Sequence, residues 1–168
     1  MEINIVIKTG NLYEEINKNI NYILSKINKK RLQQISLDMK DCLSDMKENV
    51  EIYNDSEEKY KKFLQQSFRA SLVQYKELLG NYISHCLKEV NTSVSEMTYY
   101  NAILLCIENG FLPNEREDFY KTLSRYRNQA SHTYKKPPFD VIKEFYINNE
   151  DIFEDILKYI NLFIKNIK

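Results

Sequence analysis

The amino-acid sequence predicts an all-helical protein, and three observations support this fold class. Only 3 glycines and 3 prolines interrupt its 168 residues. Apolar residues recur three and four positions apart through nearly the whole chain, which is the period of an α-helix. Polar caps or prolines stand where this period breaks. At this length the chain fits one domain, which buries about two-thirds of the surface of the unfolded form and needs neither disulfide nor metal for stability.

A first helical region is predicted from Leu12 to Tyr53. Its buried stripe comprises Leu12, Ile16, Ile20, Ile23, Ile27, Ile35, Met39, Leu43, Met46 and Val50. Lys29-Lys30-Arg31 interrupts the stripe, and periodicity alone leaves open whether one long helix passes through or two helices meet there. Before this region, Ile3, Ile5 and Ile7 alternate as in a short strand, which would have to pair with a second copy or a partner.

A second helix is predicted to begin near Asp55, which stands three residues before Glu58 in the pattern of a capping box. We expect this helix to be the core helix of the domain. Its predicted buried stripe is Tyr60, Phe63, Leu64, Phe68, Leu72, Tyr75, Leu79, Tyr82, Ile83 and Leu87.

Three more helical segments follow. One is capped at Ser93, Ser95 or Thr98 and ends at Asn109-Gly110. The next runs from about Glu115, with Asn114 and Glu117 as N-cap and third residue, and Pro137-Pro138 closes it. The last spans Phe139 to Lys168 with a joint near Asn148-Asn149. Its predicted buried face is Val141, Phe145, Phe153, Ile156, Ile160, Phe163, Ile164 and Ile167.

Three cysteines, Cys42, Cys86 and Cys106, are odd in number and lack metal-ligand spacing, which predicts free thiols in a reducing cytoplasm. The chain shows neither a signal peptide nor an apolar run of membrane-spanning length, so we expect a soluble, cytoplasmic protein. We expect no metal and no cofactor, because the sequence holds no Gly-rich phosphate loop, metal carboxylate pair or nucleophile elbow.

The charges sum to zero but are unevenly spread. Eight acids lie between Asp38 and Glu58, whereas the segment from Phe119 to Phe139 holds five bases and no acid. These bases are Lys121, Arg125, Arg127, Lys135 and Lys136. The segment predicts an anionic substrate, since local potential draws a phosphate. The alternative is a solvated basic helix face.

The basic segment contains Arg127-Asn128-Gln129-Ala130-Ser131-His132-Thr133-Tyr134. In a continuing helix His132 would point about 140° away from Arg127. The two can converge only if the helix ends near the motif or if two subunits contribute. The following prolines favour an ending there.

An arginine can neutralise a phosphodiester, and a histidine can move a proton at neutral pH, so the pair suits metal-free RNA cleavage. The 2′-hydroxyl would attack phosphorus, with His132 as base or acid and Arg127 stabilising the transition state. The alternative is structural: a helix-end histidine, a paired arginine and a core tyrosine at position 134. We interpret His85, the other histidine, as structural.

At these residues the chain resembles the HEPN superfamily, whose hallmark is Arg-polar-x-x-x-His. With the following x-Tyr, the motif is similar to that of HepT-type toxins. The whole run resembles the Arg-Asn-x-x-Ser-His-Thr-Tyr signature of nucleotidyltransferase substrate-binding proteins. The resemblance extends through 68–82 and the turn at 108–112, and covers about Lys59 to Phe163.

This resemblance implies an up-and-down helical bundle over residues 56–168, usually a homodimer, and a minimal nucleotidyltransferase as partner. It implies that Arg127 and His132 are catalytic in metal-independent RNA cleavage, that Asn128 assists, and that Tyr134 is adenylylated by the partner. Arg125, Lys121, Lys135 and Lys136 are the predicted RNA-phosphate ligands. The family's first helix is short, so residues 1–55 form an extension packed on the bundle. The alternative function is a non-catalytic subunit that binds a nucleotide or polynucleotide for the partner.

Overall fold

The computed structural model describes residues 18–19, 27–90, 97–114, 116–131 and 136–167, with the backbone alone at positions 127, 128, 130 and 131. Within these ranges the chain forms six helices and no strand, so the predicted all-α fold is confirmed. The helices are α1 (Lys29–Tyr53), α2 (Glu58–Glu89), α3 (Tyr99–Glu108), α4 (Glu117–Ser131), α5 (Phe139–Ile147) and α6 (Glu150–Asn166). The strand-like Ile3, Ile5 and Ile7 and the stripe from Leu12 to Ile23 lie outside the described residues.

Helix α1 begins at the break in the apolar stripe and does not pass through it. Asn28 is the N-cap, and its side-chain oxygen accepts a hydrogen bond from the backbone N–H of Arg31 at 3.0 Å. At the other end a short turn leads into α2, which packs against α1 as an antiparallel pair. Glu57 is the N-cap residue of α2 and makes no side-chain capping bond, so the capping box predicted at Asp55 is wrong. The turn extends two residues further, and the Ser56 hydroxyl donates to the carbonyl of Ile52.

Helix α2 is the core helix, as predicted, and contacts α1, α3 and α4. Its buried apolar side chains are Leu64, Phe68, Leu72, Tyr75, Leu79, Tyr82, Ile83, Cys86 and Leu87. The predicted burial of Tyr60 and Phe63 is wrong, because these side chains are 54% and 68% exposed. They lie in the first two turns of α2, opposite the last turn of α1, where Ile52 is exposed as well. Periodicity indicates which side of a helix faces the core, but not how far a neighbouring helix reaches.

Both predicted ends of α3 are confirmed. The Thr98 hydroxyl accepts a hydrogen bond from the N–H of Asn101 at 3.2 Å. At the other end Gly110 has a φ of +71°, and its N–H donates to the carbonyl of Ile107 at 3.0 Å. The N–H of Phe111 donates to the carbonyl of Cys106 at 2.8 Å, which completes a Schellman motif. Helix α4 begins two residues later than predicted, since its first helical bond runs from Tyr120 to Arg116, so Asn114 is not its N-cap.

The joint predicted at Asn148-Asn149 separates α5 from α6. Helix α6 buries Phe153, Ile156, Ile160 and Ile164, as predicted, whereas Phe163 is half-buried. The predicted burial of Val141 is wrong, because it is 43% exposed and α5 turns Phe139, Ile142 and Tyr146 inward. The Ser36 hydroxyl donates to the side-chain oxygen of Asn161 at 2.7 Å and joins α1 to α6. The buried side chains of α1–α6 form one continuous core.

Candidate anion-binding and active site at the end of helix α4

Aromatic packing fixes the position of α4, the helix that carries the first part of the motif. The Phe119 ring lies 4.8 Å from the Phe153 ring of α6 and 5.6 Å from the Phe145 ring of α5, centroid to centroid. About two turns further along, the Tyr126 ring lies 5.2 Å from the same Phe145 ring. Such ring pairs contribute about 0.5–1.5 kcal/mol each beyond the burial of their area. They hold α4 against α5 and α6.

The motif lies where α4 ends. Arg127 and Asn128 belong to α4, which is described as far as Ser131, and the chain is no longer helical at Lys136. Pro138 is extended, with φ −52° and ψ 145°. The helix therefore ends near the motif, between Ser131 and Lys136, which is one of the two conditions for convergence of Arg127 and His132. The side chains of Arg127 and Asn128, and the whole of His132, Tyr134 and Lys135, lie outside what the structure describes, so their predicted roles stay predictions.

Lys121 lies near the other end of α4 and has an acidic partner. Its ammonium is 2.8 Å from a carboxylate oxygen of Glu117, one helical turn earlier, and the hydrogen bond between them raises the pKa of Lys121. The depression that Lys121 borders is also lined by Glu117 and Asp118. Arg116 in the same depression lies 3.7 Å from Asp155 of α6. A phosphate that binds Lys121 would have to compete with these carboxylates.

Arg125 and Lys136, by contrast, share a groove of about 460 Å³. Its other lining residues are Tyr126, Gln129, Pro137, Pro138 and Val141, none of them acidic. Both cations are exposed, and neither forms an ion pair with any residue that the structure describes. Arg125 contacts the Tyr126 ring, with its guanidinium carbon 5.4 Å from the centroid. Two of the four predicted phosphate ligands thus lie together, beside the end of α4, in surroundings that favour an anion.

Arg69 on α2 lies beside this site and was not among the residues selected from the sequence. It lines a second groove, of about 490 Å³, together with Lys136. It also borders a small apolar cavity formed with Leu123, Tyr126 and Pro137. The sequence signal that could have selected it is an arginine directly after Phe68, in the helix predicted to be the core helix. Its position beside residue 136 depends on tertiary packing, which the sequence pattern does not contain.

The three cysteines are free and buried, as predicted. Burial raises the pKa of the Cys42 thiol to about 11 and that of the Cys86 thiol to about 12, and raises that of Cys106 as well. A protonated thiol is a poor nucleophile, so these cysteines are unsuited to catalysis near neutral pH. Among the described residues, no three His, Cys, Asp or Glu side chains lie close enough together to bind a metal ion.

None of the described helices combines the length and the apolar character that crossing a membrane requires. Comparison of the chain with protein-family models, with curated proteins and with solved structures found no match. Function is therefore inferred from the motif at 127–134 and from the charges around the end of α4.

Proposed function

We propose that this protein is a metal-independent endoribonuclease of the HEPN type, the toxin of a toxin–antitoxin pair whose other member is a minimal nucleotidyltransferase. The observation that carries the proposal is the position of the HEPN-like motif at the end of α4, beside an acid-free groove lined by Arg125 and Lys136. A helix that ended before His132 would remove the 140° separation that a continuing helix imposes on Arg127 and His132.

The proposed reaction uses only the substrate and the protein. The 2′-oxygen of a ribose attacks the adjacent phosphorus and loses its proton to a base, while the bond from phosphorus to the 5′-oxygen breaks and that oxygen takes up a proton. The products are a 2′,3′-cyclic phosphate and a 5′-hydroxyl. His132 acts as base or acid, and Arg127 neutralises the negative charge that develops on the phosphoryl oxygens. A homodimer would supply a second copy of both groups.

The electrostatics supports RNA as the substrate class. Arg125 and Lys136 flank the motif and have no acidic neighbours in their groove, so they can contact phosphates on either side of the cleaved bond. A guanidinium presents two donors to a phosphate in a planar fork, and an ammonium contributes a mobile point charge.

The chain provides a matched pair of histidines for the test. We expect His132→Ala to lower the rate of RNA cleavage by about 10²–10⁴, because proton transfer by a positioned side chain contributes that much. His85→Ala is the control, since His85 is half-buried on α2 and lines no groove near the motif. The assay follows an end-labelled single-stranded RNA in the presence of EDTA.

Equal cleavage by wild type and His132→Ala would show that the motif histidine is not catalytic. If the wild type binds RNA but cleaves none, alone or with its partner, the function would be that of a binding subunit that presents a polynucleotide to the nucleotidyltransferase. The basic groove would serve that function without His132.

A further inference from the structure

We propose that Arg69 is a further phosphate-binding residue, which holds an RNA phosphodiester next to the one that is cleaved. The identity of the anion rests on the proposed ribonuclease function, whereas the binding role of Arg69 rests on its surroundings. The proposal adds helix α2 to a site that the motif places on α4 and the segment after it.

Arg69 has no ion-pair partner among the residues that the structure describes. Its side chain is half-buried, and burial lowers its pKa. It makes no hydrogen bond or ion pair with any residue in the described ranges, unlike Arg116, which pairs with Asp155. Partial burial of a guanidinium without a carboxylate costs free energy. An external anion that reaches Arg69 would recover part of that cost.

The groove beside Arg69 leads to the rest of the site. Lys136 lines this groove and also the groove that contains Arg125, so it is common to both. Arg69, Lys136 and Arg125, contributed by α2, the segment before α5, and α4, therefore line two grooves that have Lys136 in common. Several cations along neighbouring grooves match a chain of phosphates better than they match a single anion.

One acid, Glu77, lines the Arg69 groove as well. It lies eight residues further along α2, which corresponds to about 12 Å along the helix axis. The residues between them on this face are Ala70, Val73 and Gln74, which are small, apolar or neutral. Arg69 is therefore at the end of this face remote from Glu77, and the phosphate is expected there.

The test measures binding of a fluorescent single-stranded RNA that carries 2′-O-methyl groups throughout and so cannot be cleaved by the proposed reaction. Fluorescence anisotropy over a series of NaCl concentrations gives Kd and its salt dependence. We expect Arg69→Gln to raise Kd about tenfold, as for loss of a hydrogen bond to a charged group. We also expect a shallower salt dependence. The magnitude of the slope of the logarithm of the association constant against the logarithm of the salt concentration should decrease by about 0.7, the value for one phosphate contact on a single strand.

Two more variants make the result specific. Arg69→Lys should restore the slope but only part of the affinity, since lysine keeps the charge and loses the planar fork. Arg31→Gln is the matched control, because Arg31 is exposed in the first turn of α1 and lines neither groove. It should leave Kd and slope unchanged. Thermal unfolding verifies that each variant is folded.

The outcomes separate this inference from the proposed function. Wild-type Kd and slope in a folded Arg69→Gln would overturn the role of Arg69, whether or not the protein cleaves RNA. Loss of affinity in Arg69→Gln together with no cleavage of an unmodified RNA by the wild type would support Arg69 and overturn the nuclease proposal. Failure of the wild type to bind RNA would overturn both.

Discussion

The two ends of α4 differ in how their cations are balanced. At the N-terminal end Lys121 pairs with Glu117, and Arg116 pairs with Asp155. Towards the C-terminal end Arg125 and Lys136 have no acidic partner among the described residues, and their shared groove has no acid. In sequence the basic segment from Phe119 to Phe139 is free of acids throughout, but in the folded protein Lys121 is balanced, whereas Arg125 and Lys136 are balanced by no described residue.

This difference indicates that an anion can bind towards the C-terminal end of α4. An anion there meets the unfavourable charge of the helix end. The carbonyl end of a helix carries a partial negative charge, which repels a phosphate. The α4 backbone alone would therefore disfavour RNA at the motif, and positive charge from other elements is needed to reverse the sign. Lys136, after the helix, and Arg69, on α2, supply that charge.

The largest expected effect comes from modification of Tyr134. The resemblance to HepT-type toxins implies that the partner attaches AMP to this tyrosine, two residues from His132. A phosphodiester there would give Arg125 and Lys136 an internal anion and occupy the space of a substrate phosphate. We expect co-expression with the partner to remove nearly all cleavage and to add the mass of one AMP, measured on the intact protein. Tyr134→Phe should show neither change. A mass gain that persists in Tyr134→Phe would rule out this residue as the target.

The next prediction concerns the aromatic packing that connects the two ends. Phe119→Ala should destabilise the protein by about 3–5 kcal/mol, because it empties a buried site that contacts Phe145 and Phe153. Phe63→Ala is the matched control, since Phe63 is 68% exposed, and we expect a change within about 0.5 kcal/mol. Denaturant unfolding followed by circular dichroism gives both values. Equal losses for the two variants would contradict the packing described here.

The smallest expected effect compares two lysines of the basic segment. Lys136→Gln should weaken RNA binding several-fold and lower the salt slope by about 0.7. Lys121→Gln should change both quantities much less, because Glu117 already balances Lys121. Anisotropy measurements on the 2′-O-methyl RNA give both. A larger effect at Lys121 than at Lys136 would reverse our assignment of the anion-binding end.

Much of the fold could be predicted from the sequence, because local chemistry determines it. The Schellman ending at Gly110, the cap at Thr98 and the joint at Asn148-Asn149 each follow from residues adjacent in the chain. The wrong predictions of burial occur where contacts between residues distant in the chain determine which side chains are covered. Phe63 carries the helical period but is exposed while the adjacent Leu64 is buried, and Val141 is exposed because α5 turns a neighbouring face inward.

Less of the candidate site could be predicted, because it too depends on contacts between residues distant in the chain. The acid-free segment indicated Arg125 and Lys136, and the structure places them in one groove. The same segment also indicated Lys121 as a phosphate ligand. Its ion-pair partner Glu117 was overlooked because Glu117 lies two positions before the segment begins. Arg69 is 67 residues before Lys136 in the printed sequence, so no local pattern could associate them.

The most direct test of the central claim is the chemistry of the cleaved RNA ends. Purified protein is incubated with a single-stranded RNA in EDTA, and the products are analysed by mass spectrometry. Our account predicts 2′,3′-cyclic phosphate ends and 5′-hydroxyl ends, and no cleavage of the same sequence made with 2′-deoxyribose. Products with 3′-hydroxyl and 5′-phosphate ends, or cleavage of the 2′-deoxy strand, would contradict attack by the 2′-hydroxyl and with it the proposed roles of Arg127 and His132.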